Sequence, residues 1–228
     1  MVFQGILGAE QSLWLSCARL DHENFRAALR FALEQDDGGL AVSLAGGLWW
    51  FWGRQGFGRE AMTWLEAALR CPRPEPFDET AQRRRATALN GAGATAAELN
   101  EFAVAMRYHE EGLALRRALR DQKGIGTVLH NMGLVAQCQG DYPRAIALLE
   151  ESLALSDPND ARDQAIGFAN LGTTATLMYD LPAAQRWLER ALEASSPEDT
   201  PWENAFASIY LATVCYEMGD LARAEQMA

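Results

Sequence analysis

The sequence is short of positive charge, of strand-like alternation and of long apolar runs. Its 228 residues hold 31 acidic side chains against 20 basic ones, a net charge of −11. A general grip on nucleic acid needs Lys and Arg to neutralise phosphates, so that class is excluded. The same balance disfavours attraction to an anionic membrane surface. The longest apolar run, residues 40–52, is too short for a membrane helix of ~20 residues and contains Ser43, Gly46 and Gly47. It reads as a buried helix. No basic start leads into an apolar run with a small-residue cleavage site, so no signal peptide is read.

Cysteine is sparse. Cys17, Cys71, Cys138 and Cys215 are far apart and form no CxxC pair. This pattern fits free thiols in a reducing cytoplasm. The three histidines, His22, His109 and His130, have no metal-ligand spacing, and each is expected to be a satisfied surface or groove residue. No Gly-x-Ser-x-Gly elbow and no GxxxxGK[ST] phosphate loop occurs. No catalytic residues, cofactor or metal are assigned, and the chain is not expected to be an enzyme.

What is present is a repeat. Glu101, Asp141, Asp180 and Asp220 recur at intervals of 40, 39 and 40 residues, and Ala105, Ala145, Ala184 and Ala224 keep the same beat. A period of this size marks a stacked array. Each unit carries helical apolar spacing, a short break and a second helical stripe. Pro143 and Pro182 follow the breaks, where a first helical turn tolerates proline.

Four units follow: about 81–120, 124–156, 163–194, and a fourth from about 202. The fourth stops at Ala228, inside its second helix. Arrays end in capping elements, so the expectation is a piece of a longer protein. Residues 1–70 read as a helical N-terminal module with a divergent, aromatic-rich unit. Residues 71–80 read as a proline-rich linker, and 81–228 as the array with its last repeat truncated. A helix is expected over about 21–35, with Asp21 as N-cap.

The stretch LHNMGLVA at 129–136, then Gly-Asp-Tyr at 140–142 and Ala145, resembles tetratricopeptide (TPR) repeats. Gly93, Gly133 and Gly172 fall where that family packs helices without a side chain. The resemblance implies an all-α fold, a right-handed superhelix of antiparallel helix pairs. The period exceeds that family's usual length, which implies longer helices or longer links. LDHENFRAALRFAL at 20–33 and LWWFW at 48–52, followed by Gly56 and Trp64-Leu65-Glu66, resemble the segment entering the TPR region of bacterial STAND-type ATPases and LuxR-family transcriptional regulators. That resemblance implies a sensor module that gates a nucleotide-binding domain lying outside these residues. The alternative is a free-standing adaptor between proteins.

In peptide-binding TPR proteins, an asparagine two residues before the repeat glycine lines the concave groove. Asn131 and Asn170 stand there, and Asn90 lies one residue off the place that Gly91 takes. His130, Gln137 and Thr173 should face the same groove. Its occupant is a protein, a peptide or a small-molecule inducer. The lysine-containing carboxylate clamp of that family is absent, since Lys123 is the only lysine. Trp49, Trp50 and Trp52 form a second candidate site, with core packing as the simpler reading. Arg83-Arg84-Arg85 reads as a solvated face, or as a dock for an acidic domain.

Overall fold

The computed structural model describes residues 11–73 and 75–227. Among them are twelve helices and no strand. The helices are α1 (Gln11–Leu20), α2 (His22–Glu34), α3 (Gly38–Gln55), α4 (Gly58–Arg70), α5 (Glu79–Glu98) and α6 (Phe102–Ala118). They continue as α7 (Gln122–Cys138), α8 (Tyr142–Ala154), α9 (Ala161–Leu177), α10 (Leu181–Ala194), α11 (Pro201–Glu217) and α12 (Leu221–Met227). Helix α2 matches the expected segment, with Asp21 at its N-cap. Helix α1 had no counterpart in the sequence reading. By packing, the chain divides into Met1–Asp121 and Gln122–Ala228.

The turns explain the acidic beat. Asn100, Gly140, Tyr179 and Gly219 each adopt positive φ, between 60° and 83°. The next residue then donates its N–H back to the preceding helix: Glu101 to Ala96, Asp141 to Ala136, Asp180 to Ala175, and Asp220 to Cys215, over 2.8–3.0 Å. This left-handed closure satisfies carbonyls that the helix end leaves open. The same acidic residue begins the second helix. Asp141, Asp180 and Asp220 accept the N–H of Arg144, Ala183 and Arg223. Such a cap is worth about 1 kcal/mol. Glu101 makes no such bond.

Within each pair, one small residue lets the helices close. A Cβ on Gly133 would stand 2.8 Å from Leu149 Cγ, and one on Gly172 would stand 2.6 Å from Leu188 Cγ. Ala145 and Ala184 are fully buried in the same crossings. The repeat's extra length is shared between 17-residue first helices and the links at 155–160 and 195–200.

In the first unit, α3 packs on α2, α4 and α5, and α5 packs on α4 and α6. Phe51, Trp52, Leu29, Leu65 and Leu89 fill its core. The proline-bearing segment joins α4 to α5 inside this unit. Glu60, on α4, ties that helix to α2. It accepts from Arg26 through both oxygens, at 2.7 and 2.5 Å, and from Trp64 Nε1 at 3.2 Å. The Arg26 guanidinium holds the Glu60 carboxyl below its usual range.

In the second unit, α7/α8, α9/α10 and α11/α12 are the pairs, with α8 on α9, α10 on α11 and α9 on α11. Leu129, Leu149, Leu171, Leu188 and Leu211 are its largest buried aliphatic side chains.

Candidate functional site

The first helices of the second unit carry most of the candidate groove. Helix α7 supplies His130, Asn131 and Gln137, and α9 supplies Asn170 and Thr173. Asn170 Nδ2 lies 3.4 Å from His130 Nε2. An amide N–H can only donate, so Nε2 accepts and the ring proton sits on Nδ1. Burial lowers the His130 pKa, which keeps the ring in this neutral form. One turn-pair further along, Gln137 Nε2 donates to Thr173 Oγ1 at 3.4 Å. Thr173 Oγ1 donates in turn to the Asn170 carbonyl at 3.0 Å.

His130 and Asn170 therefore meet across one α7–α9 seam, with Gln137 and Thr173 beside them. Thr173 is buried and its hydroxyl is engaged, while His130, Asn131, Gln137 and Asn170 are half-buried. The seam offers amide donors and acceptors and one neutral imidazole.

Asn90 belongs to the first unit, where it is buried on α5. Its neighbour Gly91 receives the Trp49 ring, since a Cβ there would stand 2.7 Å from Trp49 Cγ. Trp49 and Trp50 are half-buried with ring centroids 4.8 Å apart, and Arg54 lies 5.5 Å over the Trp50 ring. Trp52 is fully enclosed, and its Nε1 donates to His22 Nε2 at 3.3 Å. This places it in the core, away from any ligand-accessible face.

Two features escaped the sequence reading. His109 is 0 % exposed, in the slot that Leu149 and Leu188 fill in later repeats. Neither ring nitrogen has a hydrogen-bond partner. The expectation of a satisfied surface or groove histidine is thus corrected: helix packing against Gly93 encloses the ring. Burial alone lowers its pKa to about 4.

The second feature is a cavity of about 260 Å³ where α3 and α5 begin, lined by Gly38, Val42, Arg73, Phe77 and Arg84 among others. The arginine run divides there. Arg83 pairs with Glu79 on the surface, and Arg85 bonds Leu69 O and Glu111. Arg84 lines the cavity between them.

Residues 124–196 match the family model described as Tetratricopeptide repeat. The match is confined to those residues, and the all-helical fold of the chain is TPR-like. Curated proteins yield no match. Among solved structures, BtubC from P. vanneervenii superposes with a TM-score of 0.73 at 19% identity, covering 94% of this chain and 86% of that one. The apo form of the quorum sensor NprR from B. thuringiensis gives 0.67 at 13% identity, covering 94% of this chain and 60% of its own. YrrB, a TPR protein with an unusual peptide-binding site, gives 0.54 at 17% identity, covering 88% of each chain. At these identities the likeness is one of fold.

No helix among the described residues is long and apolar enough to cross a membrane. Among those residues, no group of three or more His, Cys, Asp or Glu side chains could hold a metal ion.

Proposed function

We propose that this chain is the protein- or peptide-binding sensor module of a larger cytoplasmic regulator, of the bacterial STAND ATPase or LuxR kind. The observation that carries the binding role is the α7–α9 seam. There Asn170 meets His130 and Gln137 meets Thr173, with Asn131 alongside on α7. Half-buried amides on packed helices are preorganised to bond a ligand's backbone or carboxylate. The regulatory setting rests on the resemblance of residues 20–33 and 48–52, and the quorum sensor among the similar folds agrees with it. A ligand that prefers one arrangement of the array would shift its equilibrium and so gate the parent's partner domain. The chain itself works by binding, without catalysis.

Selection of a displayed random peptide library on the purified chain tests the binding role. Binders should be lost in the Asn131→Ala/Asn170→Ala variant while its melting temperature stays put. Binders that ignore both substitutions would place the site elsewhere, with Trp49 and Trp50 next in line. The regulatory setting is tested by the native protein. A longer chain with an upstream Gly-x-x-x-x-Gly-Lys-Ser/Thr segment supports it. A native mass of 25.1 kDa would favour the adaptor reading.

A further inference from the structure

Two hollows meet along the seam of α3 and α5. One is the cavity of about 260 Å³ at the start of both helices. The other is a shallower trough of about 280 Å³, which shares Val42 and Arg84 with it and runs on past Ser43, Gly47 and Thr87. Gly47 leaves α3 bare there, since a Cβ on it would meet nothing within 4 Å. The wall of the cavity is largely apolar, with Val42, Pro72, Pro76 and Phe77 in it. An apolar hollow with a few convergent polar groups is the form of a small-molecule site, and this volume is small for one.

The arginine run supplies the polar group. In a chain with 31 acidic residues, Arg83 and Arg85 each find a carboxylate, Glu79 and Glu111. Arg84 stands between them and makes no hydrogen bond or ion pair among the described residues. It is also the one side chain of formal charge among the residues lining the trough.

The balance of charge narrows the ligand. Arg73, Arg84 and Arg85 line the cavity with Glu75 and Asp78. Asp78 is committed to the Ala81 N–H at the start of α5, and Arg85 to Leu69 O and Glu111. Arg73 and Arg84 are left against Glu75, an excess of one positive charge. Arg73 lies 5.2 Å over the Phe77 ring, so charge and apolar wall adjoin. One excess charge suits a monoanion better than a phosphate dianion, and a guanidinium matches a carboxylate with two parallel bonds. We infer that this seam binds a small monocarboxylate with an apolar body, its carboxylate on Arg84 and its body against Val42 and Phe77. The inference is independent of the peptide-binding role.

Amide NMR titration of the 228-residue chain decides it, with benzoate, 4-methylpentanoate and indole-3-acetate as probes. At least one should shift the amides of Gly39, Val42 and Gly47 saturably, with a Kd of about 1 mM or tighter. The neutral primary amide of that acid should not, and neither should inorganic phosphate. Arg84→Gln removes one charge-assisted contact and should weaken the probe about tenfold. Its melting temperature should stay put, because Arg84 bonds nothing in the fold. Arg83→Gln should leave binding unchanged, as should Asn131→Ala/Asn170→Ala.

Silence from all three probes at about 10 mM overturns the proposal, as does an affinity untouched by Arg84→Gln. Phosphate or the neutral amide binding as well as the acid overturns the carboxylate assignment. Loss of the probe in Asn131→Ala/Asn170→Ala would move it to the α7–α9 seam and overturn the proposal too.

Discussion

His109 sits on Gly93. A Cβ at Gly93 would lie 2.4 Å from the ring's Cε1, so glycine is what admits the imidazole. The later repeats use leucine against glycine in the same place. The first unit therefore keeps a polar ring, unbonded at both nitrogens, where its neighbours keep an aliphatic one.

Replacing that ring should stabilise the fold. His109→Leu removes a buried donor and a buried acceptor that lack partners, each costing about 1–3 kcal/mol when left unmade. The leucine fits a slot that the repeat already fills with leucine. Chemical denaturation at neutral pH should show a higher midpoint with unchanged slope.

The same residue sets a pH dependence. Its folded-state pKa, about 4, lies below the ordinary 6.5, so the unfolded chain binds the proton more readily. The stability linked to His109 is present above pH 6.5 and is lost as pH falls from there through 4. Its full loss amounts to about 3 kcal/mol. Urea midpoints measured between pH 7.5 and 5 should drop more steeply in the natural chain than in His109→Leu. Burial shifts His130 in the same direction, and the comparison between the two chains cancels it.

Two glycine-to-alanine changes should act oppositely. Gly133→Ala drives a methyl to within 2.8 Å of Leu149 Cγ, and overpacking of this kind costs about 1–3 kcal/mol. At Gly47 a Cβ meets nothing within 4 Å, in the interior of α3. Gly47→Ala should gain about 0.5–1 kcal/mol of helix stability. Thermal melts of the pair would move in opposite directions.

The caps make a second internal contrast. Asp180→Ala removes the bond to Ala183 N and should cost about 1 kcal/mol. Glu101→Ala removes no such bond and should cost measurably less. Equal losses at both positions would show that the caps act through charge at the helix end instead.

Much of the array was legible because one geometric demand recurs. The array's turns repeat a left-handed residue, an acidic residue and a small residue at the crossing, so Asp141, Ala145 and Gly133 return together in the sequence. The sequence assigned His130 and Asn170 to one groove by their place in the repeat, and their contact is what the structure adds. His109 was not, because a histidine breaks the apolar pattern that would have marked its slot as core. The tryptophan run could not be sorted by eye either. Successive helix residues point about 100° apart, so adjacent rings go to different neighbours. Trp49 goes to Gly91 and Trp52 to His22, contacts that depend on how α3 packs on α5 and α2.

Helices α7, α9 and α11 each run to 17 residues. A helix of that length is about 25 Å long. An extended strand advances roughly 3.3 Å per residue and turns alternate side chains to opposite sides. On the proposed peptide-binding role, a strand laid along one seam would span about seven residues, every second one facing the protein.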